Sequence, residues 1–410
     1  MATGPHAFAE TVTLEGHIID SLILPRVMDA VMDLGGDFDV EELQVGRHKQ
    51  SPSRARLRIF TDSEGQMHQI LATLQGMGAQ IEHNGDALVE LAPVDGALPE
   101  DFYATTNLPT QVRLRGCWVD VAGTEMDLAI VIDPTWESAH TRPIADVKAG
   151  ELVVVGHDGI RVIPMGRQRQ QDVFSFRRSA ERPNALAIAN VARTLREVRE
   201  AGGKVLFVVG PAIIHSGAGD YLTRLIRGGY VQAIFGGNAI AVHDVESQLF
   251  GTSLGVDLRS GLSAHGGHRN HMRAINAIRQ IGSLEKAITS GLLRSGVMHE
   301  AIQHGVRIVL GGSVRDDGPM PGVVTDTIEA QRQMRAALDG VEMVVMVATM
   351  LHSIATGNLL PAHVKVVVVD INPATVTTLA DRGTFQAVGL VTDADLFLRE
   401  LVEELDLSDA

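Results

Sequence analysis

The chain has a single cysteine, Cys117, among its 410 residues. No intrachain disulfide can form, which suits a reducing compartment, and we expect a cytoplasmic protein. Positive charge is also scarce. Against 50 aspartates and glutamates stand 35 lysines and arginines, a formal net charge of −15. Such a surface repels phosphate backbones, which argues against a nucleic-acid partner, and it weakly favours cationic small molecules. The longest apolar stretches, such as Val344 to Leu351, fall well short of the roughly 20 residues a membrane-spanning helix needs. Met1 to Glu10 has neither the basic cluster nor the apolar centre of a secretory signal. Also missing is the Gly-x-Gly-x-x-Gly fingerprint of many dinucleotide folds. Gly217-Ala218-Gly219 begins one, but Leu222 stands where the third glycine belongs.

What is present suits packed cores. Hydrophobic residues make up 45% and charged residues 21%, in a chain long enough for two or three domains. Residues 1–100 read as a ferredoxin-like α+β module. Strands are expected at 11–18, 38–45, 54–60 and 87–91, with helices at 24–34 and 64–77. Residues 101–182 read as a small β-rich unit with strands at 112–115, 128–132, 151–155 and 161–163, followed by a polar linker from 167. Residues 183–410 change register. After a helix at 184–200, apolar runs at 205–209, 231–235, 306–310, 341–347, 364–369 and 386–391 alternate with helical segments at 220–226, 284–303, 325–338 and 393–405. Strands apolar at every position and joined by helices predict a doubly wound parallel sheet covered on both faces, a Rossmann-like α/β domain.

In such a sheet ligands sit beyond the carboxyl ends of the strands. The residues there are small or polar: Gly210-Pro211, Gly236-Gly237-Asn238, Gly311-Gly312-Ser313, Ala348-Thr349, Asp370 and Thr392-Asp393. Asp370 is the most informative. An acid ending an apolar strand accepts both ribose hydroxyls of an adenosine and repels a 2′-phosphate, so NAD is favoured over NADP. The rival role, capping the next helix, is already supplied by Asn372-Pro373. His215, His243 and His352 each follow a strand; each suits a general base or a backbone bond. His265, His268 and His271 lack a carboxylate or cysteine at ligand spacing, so a solvated loop or an anion-binding His/Arg pair is preferred and no metal is expected. Cys117 suits a buried apolar position as well as a reactive one. Glu125 and Asp127 would share one face if extended, either to hold an amine or as a solvated edge.

Longer motifs carry a resemblance. Gly236-Gly237-Asn238-Ala239, Leu249-Phe250-Gly251-Thr252-Ser253, Gly267-His268-Arg269, Ser313-Val314-Arg315-Asp316-Asp317-Gly318-Pro319, Ala348-Thr349-Met350-Leu351-His352-Ser353 and Val369-Asp370-Ile371-Asn372-Pro373 look like the archaeal-type ornithine cyclodeaminases. They also resemble the C-terminal module of cyanobacterial arginine dihydrolase/ornithine cyclodeaminase fusions. Tyr103-Ala104-Thr105-Thr106-Asn107 and Pro109-Thr110 resemble a region of plant lysine-ketoglutarate reductase/saccharopine dehydrogenase. The resemblance covers almost the whole chain. It implies a deoxyhypusine-synthase-like variant of the cofactor fold, which fits the missing fingerprint.

The resemblance also implies NAD-dependent conversion of L-ornithine to L-proline and ammonia. A hydride would leave the α-carbon, the δ-amine would attack, ammonia would depart, and the cyclic imine would take the hydride back. NAD contacts are implied at Asn238, Ala239, Asp317, Thr349, Met350, Leu351, His352, Asp370, Asp393 and Ala394. Asn107, Cys117, Glu125 and Asp127 are the expected catalytic residues, in a site at a domain interface. A homo-oligomer acting on a small amino acid is expected. The alternatives are another NAD-dependent amino-acid or amine enzyme on the same scaffold, or a non-catalytic NAD sensor.

Overall fold

The computed structural model describes residues 7–19, 22–46, 48, 51–81, 85–163, 181–262, 264, 267–316, 318–382 and 387–407. The chain divides into two compact units. The first holds residues 1–172 and the short segment 358–362; the second holds 173–357 and 363–410.

The first unit opens with β1 (Phe8–Gly16), α1 (Ile23–Asp33), β2 (Asp37–Gln44), β3 (Ser53–Thr61), α2 (Glu64–Gly76) and β4 (Gln80–Ile81). Their sheet is antiparallel in the order β2-β3-β1-β4, the split β-α-β arrangement. Strand β3 shows why it forms. Ser53, Ala55, Leu57, Ile59 and Thr61 point inward while Arg54 and Arg58 face water. Leu24, Val27 and Val31 of α1 and Met67, Ile70 and Leu74 of α2 close this core at helical spacing. The strand expected at 87–91 to complete this sheet belongs elsewhere. The fourth strand is the two-residue β4 beside β1, while β5 (Leu88–Leu91) pairs with a later strand. Leu88 and Leu91 are exposed on that edge, so they had no core to enter here.

With β5, the strands β6 (Thr110–Leu114), β7 (Cys117–Ala122), β8 (Ala129–Ile132), β9 (Ala139–Arg142), β10 (Leu152–Val155) and β11 (Ile160–Val162) make a seven-stranded sheet ordered β11-β6-β7-β9-β8-β10-β5. β6 and β7 are joined by Arg115 and Gly116, both at positive φ, a two-residue turn whose twist matches the strands. The stretch expected as a linker lies, up to residue 180, outside the described residues.

The second unit runs α3 (Glu181–Glu200), β12 (Lys204–Val209), α4 (Ala212–His215), α5 (Gly219–Arg227), β13 (Ala233–Gly237), α6 (Asn238–Phe250), β14 (Thr252–Ser253), β15 (Val256–Asp257), α7 (Asn270–Ile281), α8 (Leu284–Thr289) and α9 (Val297–Gln303). It continues with β16 (Arg307–Gly311), α10 (Thr327–Ala337), β17 (Val341–Val347), α11 (Leu351–Leu359), β18 (Lys365–Asp370), α12 (Pro373–Arg382), β19 (Ala387–Val391) and α13 (Ala394–Glu404). Six parallel strands lie in the order β16-β13-β12-β17-β18-β19. Counted within this sheet the order is 3-2-1-4-5-6, the dinucleotide-fold order, with its reversal between β12 and β17. Phe207 and Phe235 are fully buried. The six expected strands form within one or two residues of their apolar runs. The expected helix at 284–303 is two helices, broken where Gly291 and Gly296 adopt positive φ.

Candidate active site

The strand reversal opens the carboxyl edge of the second sheet between β12 and β17. Gly210 stands directly after β12, its N–H donating to Val347 O at 3.0 Å. A Cβ there would lie 1.9 Å from Ala348 O, so only glycine lets the two strand ends close up. Ala348 adopts positive φ at 52°, and its N–H donates to Val369 O, which turns the chain from β17 into Thr349, Met350 and α11. His352, in the first turn of α11, reaches back over neighbouring strand ends. Its Nε2 lies 2.9 Å from where a Cβ on Gly237 would stand, and its Cε1 3.5 Å from one on Gly311. Burial lowers the His352 pKa from its ordinary value, opposed by the charge of Asp316, so the ring is neutral at neutral pH. Met350 and Leu351 are exposed.

Asn238, at the start of α6, is buried, and its Oδ1 accepts the Met320 N–H at 3.0 Å. It thereby ties the loop after β16 to the helix N-terminus. Ala239 follows in the first turn. At the end of β18, Asp370 Oδ1 accepts the Asn372 N–H at 2.8 Å, and Asn372 in turn accepts from Ala374 N–H at 3.0 Å. Asn372 is therefore the cap of α12, and no described residue bonds Asp370 Oδ2. Asp393 caps α13 through the Asp395 N–H at 2.8 Å, while Ala394 is buried in the core. Of the expected cofactor contacts, Asp317 lies outside the described residues, as does His265.

The expected catalytic residues all lie in the first unit, but not all together. Thr105 gathers one group. Its hydroxyl donates to Glu125 O at 2.6 Å, and its carbonyl accepts the Asp127 N–H at 2.9 Å. The buried Asn107 follows two residues on, its carbonyl bound by Ala362 N–H, while Met126 N–H donates to Asn358 O. Segment 358–362 thus holds the loops that carry Asn107 and Glu125–Asp127. The extended geometry that would align the two acids is absent, because Met126 and Asp127 form a turn with Asp127 at φ 61°. Cys117 is exposed at the hairpin end of β7, whose other end, Ala122, lies roughly 17 Å along the strand and leads into the turn that carries Glu125.

A further polar cluster joins two of the histidines. Glu246, fully buried on α6, accepts from His243 Nδ1 at 2.8 Å, Thr252 Oγ1 at 2.8 Å, Gly255 N–H at 3.0 Å and Leu254 N–H at 3.2 Å. Burial works to raise its pKa, but these bonds outweigh it and hold the carboxyl below its ordinary value. His243 packs edge-to-face on His215 with ring centres 4.8 Å apart, and His215 Nδ1 meets Ser253 Oγ at 2.6 Å. Burial first, and the neighbouring His243 second, push the His215 pKa down to about 4. Sequence reading named both histidines but missed Glu246. The spacing His243-x-x-Glu246 would have exposed it had α6 been recognised, since i and i+3 share a helix face. Among the described residues no group of three or more His, Cys, Asp or Glu side chains is set to hold a metal ion. No helix among them is long and apolar enough to cross a membrane.

Comparison with known proteins matches three consecutive stretches of the chain. The Rossmann-fold part of the C-terminal region of ArgZ-like arginine dihydrolases matches residues 189–401, and the first part of that region matches 109–188. The conserved region of the LOR/SDH bifunctional enzyme matches 9–108. An ornithine cyclodeaminase of Methanocaldococcus jannaschii is 49% identical over 97% of this chain and 96% of its own length. The apo structure of ArgZ, an arginine dihydrolase from the ornithine–ammonia cycle in cyanobacteria, superposes with a TM-score of 0.87 at 37% identity over 99% of this chain. This chain spans 60% of that longer one. The ternary complex of AgrE with ornithine and NAD+ is 44% identical with a TM-score of 0.54, over 97% of this chain and 57% of its own.

Proposed function

The chain belongs to the family of the archaeal ornithine cyclodeaminases and the C-terminal region of ArgZ-like arginine dihydrolases, and from that premise we propose that it converts L-ornithine to L-proline and ammonia with NAD bound at the carboxyl edge of its parallel sheet. The observation that carries the reading is Asp370. It ends β18, one strand beyond the reversal, with one carboxylate oxygen committed to Asn372 and the other unbonded among the described residues. That geometry suits a ribose hydroxyl and disfavours a 2′-phosphate.

The edge also fits the rest of a dinucleotide. Gly210, Gly237 and Gly311 let Ala348 and the His352 ring pack close against three strand ends, and the first turn of α11 presents amides at the reversal. Asn238, Ala239, Thr349, Met350, Leu351, His352 and Asp370 would line the cofactor, and Asp393 and Ala394 the far end of the edge. NAD, when bound, supplies the oxidation and re-reduction of the substrate α-carbon, so ornithine becomes proline and ammonia with no net redox change. The protein must keep a neutral amine available and exclude water from the reacting carbon. Glu125, Asp127 and Asn107 are the residues we assign to the substrate amines, because Thr105 holds their two loops together.

The test is product analysis. Purified protein with NAD and ornithine should form proline and ammonia in equal amounts, with no accumulating NADH absorbance. Glu125→Gln should raise KM for ornithine without weakening NAD binding. Net NADH production, or turnover of lysine but not ornithine, would favour a dehydrogenase or another amine enzyme on this scaffold.

A further inference from the structure

Neither cofactor binding nor amine binding explains why two imidazoles, His243 buried and His215 half-buried, pack edge to face behind the strand ends. His215 lies at the ligand edge. It ends α4, the one-turn helix that follows β12 and Gly210. His243 lies behind it on α6, buried, with Glu246 on its Nδ1. An ionised carboxylate only accepts, so His243 Nδ1 carries a proton and its Nε2 is the basic atom. Among the described residues nothing bonds Nε2 of either ring. Neither Nε2 is among the buried polar atoms that lack a partner, so both are open to water or to a ligand and available as bases. The hairpin of β14 and β15 accounts for Glu246, through Thr252, Leu254 and Gly255. It accounts for neither histidine's free nitrogen.

We propose that His215 is a catalytic proton shuttle for the substrate amine, and that His243, clamped by Glu246, is its positioning residue. This rests on the cyclodeaminase reading and identifies the acid–base group that reading requires. His215 Nε2 takes the proton that the attacking nitrogen sheds as its bond to the α-carbon forms, a more acidic proton than that of a free ammonium. It returns that proton to the departing nitrogen, which leaves as ammonia. Protons balance over the cycle: the six on the two substrate nitrogens end as two on the proline ring nitrogen and four on ammonium. A proton held weakly by His215 is released readily to the leaving group. The charged and titratable groups acting on His215 are His243 and Glu246, both of α6. Ser253 of β14 is neutral, and α13, which also packs on α4, adds none.

Two variants of the full-length protein test this. His215→Ala should bind NAD within about twofold of wild type, lose about 100-fold or more in kcat, and regain turnover with added imidazole. His243→Asn should move the acid limb of the kcat/KM–pH profile upward from about 4, because His243 is one cause of the low value. Three outcomes would overturn the proposal: near-normal kcat in His215→Ala, lost activity that imidazole does not restore, or an unmoved acid limb in His243→Asn. Loss of NAD binding in His215→Ala would also overturn it and make the residue part of the cofactor site. Wild-type protein that forms no proline overturns the functional reading itself, and this inference with it.

Discussion

A methyl group on Gly210 would stand 1.9 Å from Ala348 O, far inside contact distance, and 3.2 Å from Thr349 Cβ. Backbone on both sides leaves nothing flexible to move. Gly210→Ala should therefore part β12 from β17 at the edge where the cofactor is proposed to sit. We expect a loss of about 1–3 kcal/mol in stability and a clear fall in NAD affinity, read by denaturant unfolding and calorimetric titration. A variant with wild-type Tm and NAD affinity would remove Gly210 from the site. The sequence marks this glycine only as one small residue after an apolar run. Its necessity comes from Ala348, 138 positions away in the chain. Asp370 is the opposite case, because its place at a strand end before Asn372-Pro373 is local and readable.

Among the elements, α6 was the hardest to read and is the most informative. Asn238, Ile240, Ala241, Val242, His243, Asp244, Val245 and Glu246 are all buried, so no apolar stripe marks it as a surface helix. Asp244 shows what the polar positions do. Its two carboxylate oxygens accept the Val297 and Met298 N–H groups at 2.9 and 2.7 Å, capping α9, whose own N-cap position is Gly296. Burial raises its pKa to about 6, against the two amide bonds that lower it. An acid whose folded pKa lies above the unfolded one favours the fold most below the unfolded value. That contribution is lost as pH rises from about 4 through about 6. The shift corresponds to an amount on the order of 3 kcal/mol. Asp244→Asn should keep part of the cap and lack this pH-dependent loss. Urea unfolding at pH values on either side of the window would check it, and an unchanged slope would mean Asp244 does not titrate there.

For the whole molecule, ligand linkage gives a direct test of cofactor choice. A ligand that binds only the folded chain stabilises it by about 2.7 kcal/mol at 100 times its Kd. NAD should raise Tm in a concentration-dependent way, and NADP should not. Asp370→Ser should narrow that difference by removing the acid that repels a 2′-phosphate. Equal shifts from both nucleotides in wild type would defeat the assignment. The homo-oligomer expected from the sequence would scatter light at a multiple of the chain mass, and a monomer would refute it.

The strands of the second unit are plain in the sequence because each is a near-continuous apolar run. A strand covered on both faces needs no partner to declare itself, and 341–347 was read to the residue. The fourth strand of the first module was not, because β4 is two residues long and becomes a strand only beside β1. The same distinction divides the site. The sequence by itself determined a doubly wound sheet, an acid at the end of the fifth strand and a chain of the cyclodeaminase kind, since local pattern and motif carry these. Only the tertiary structure decided that Cys117 sits at the opposite end of β7 from the turn that carries Glu125 and that His215, His243 and Glu246 form one cluster. Those facts depend on which strand ends and helices meet, and side chains far apart in sequence become chemistry only when packing brings them within bonding distance.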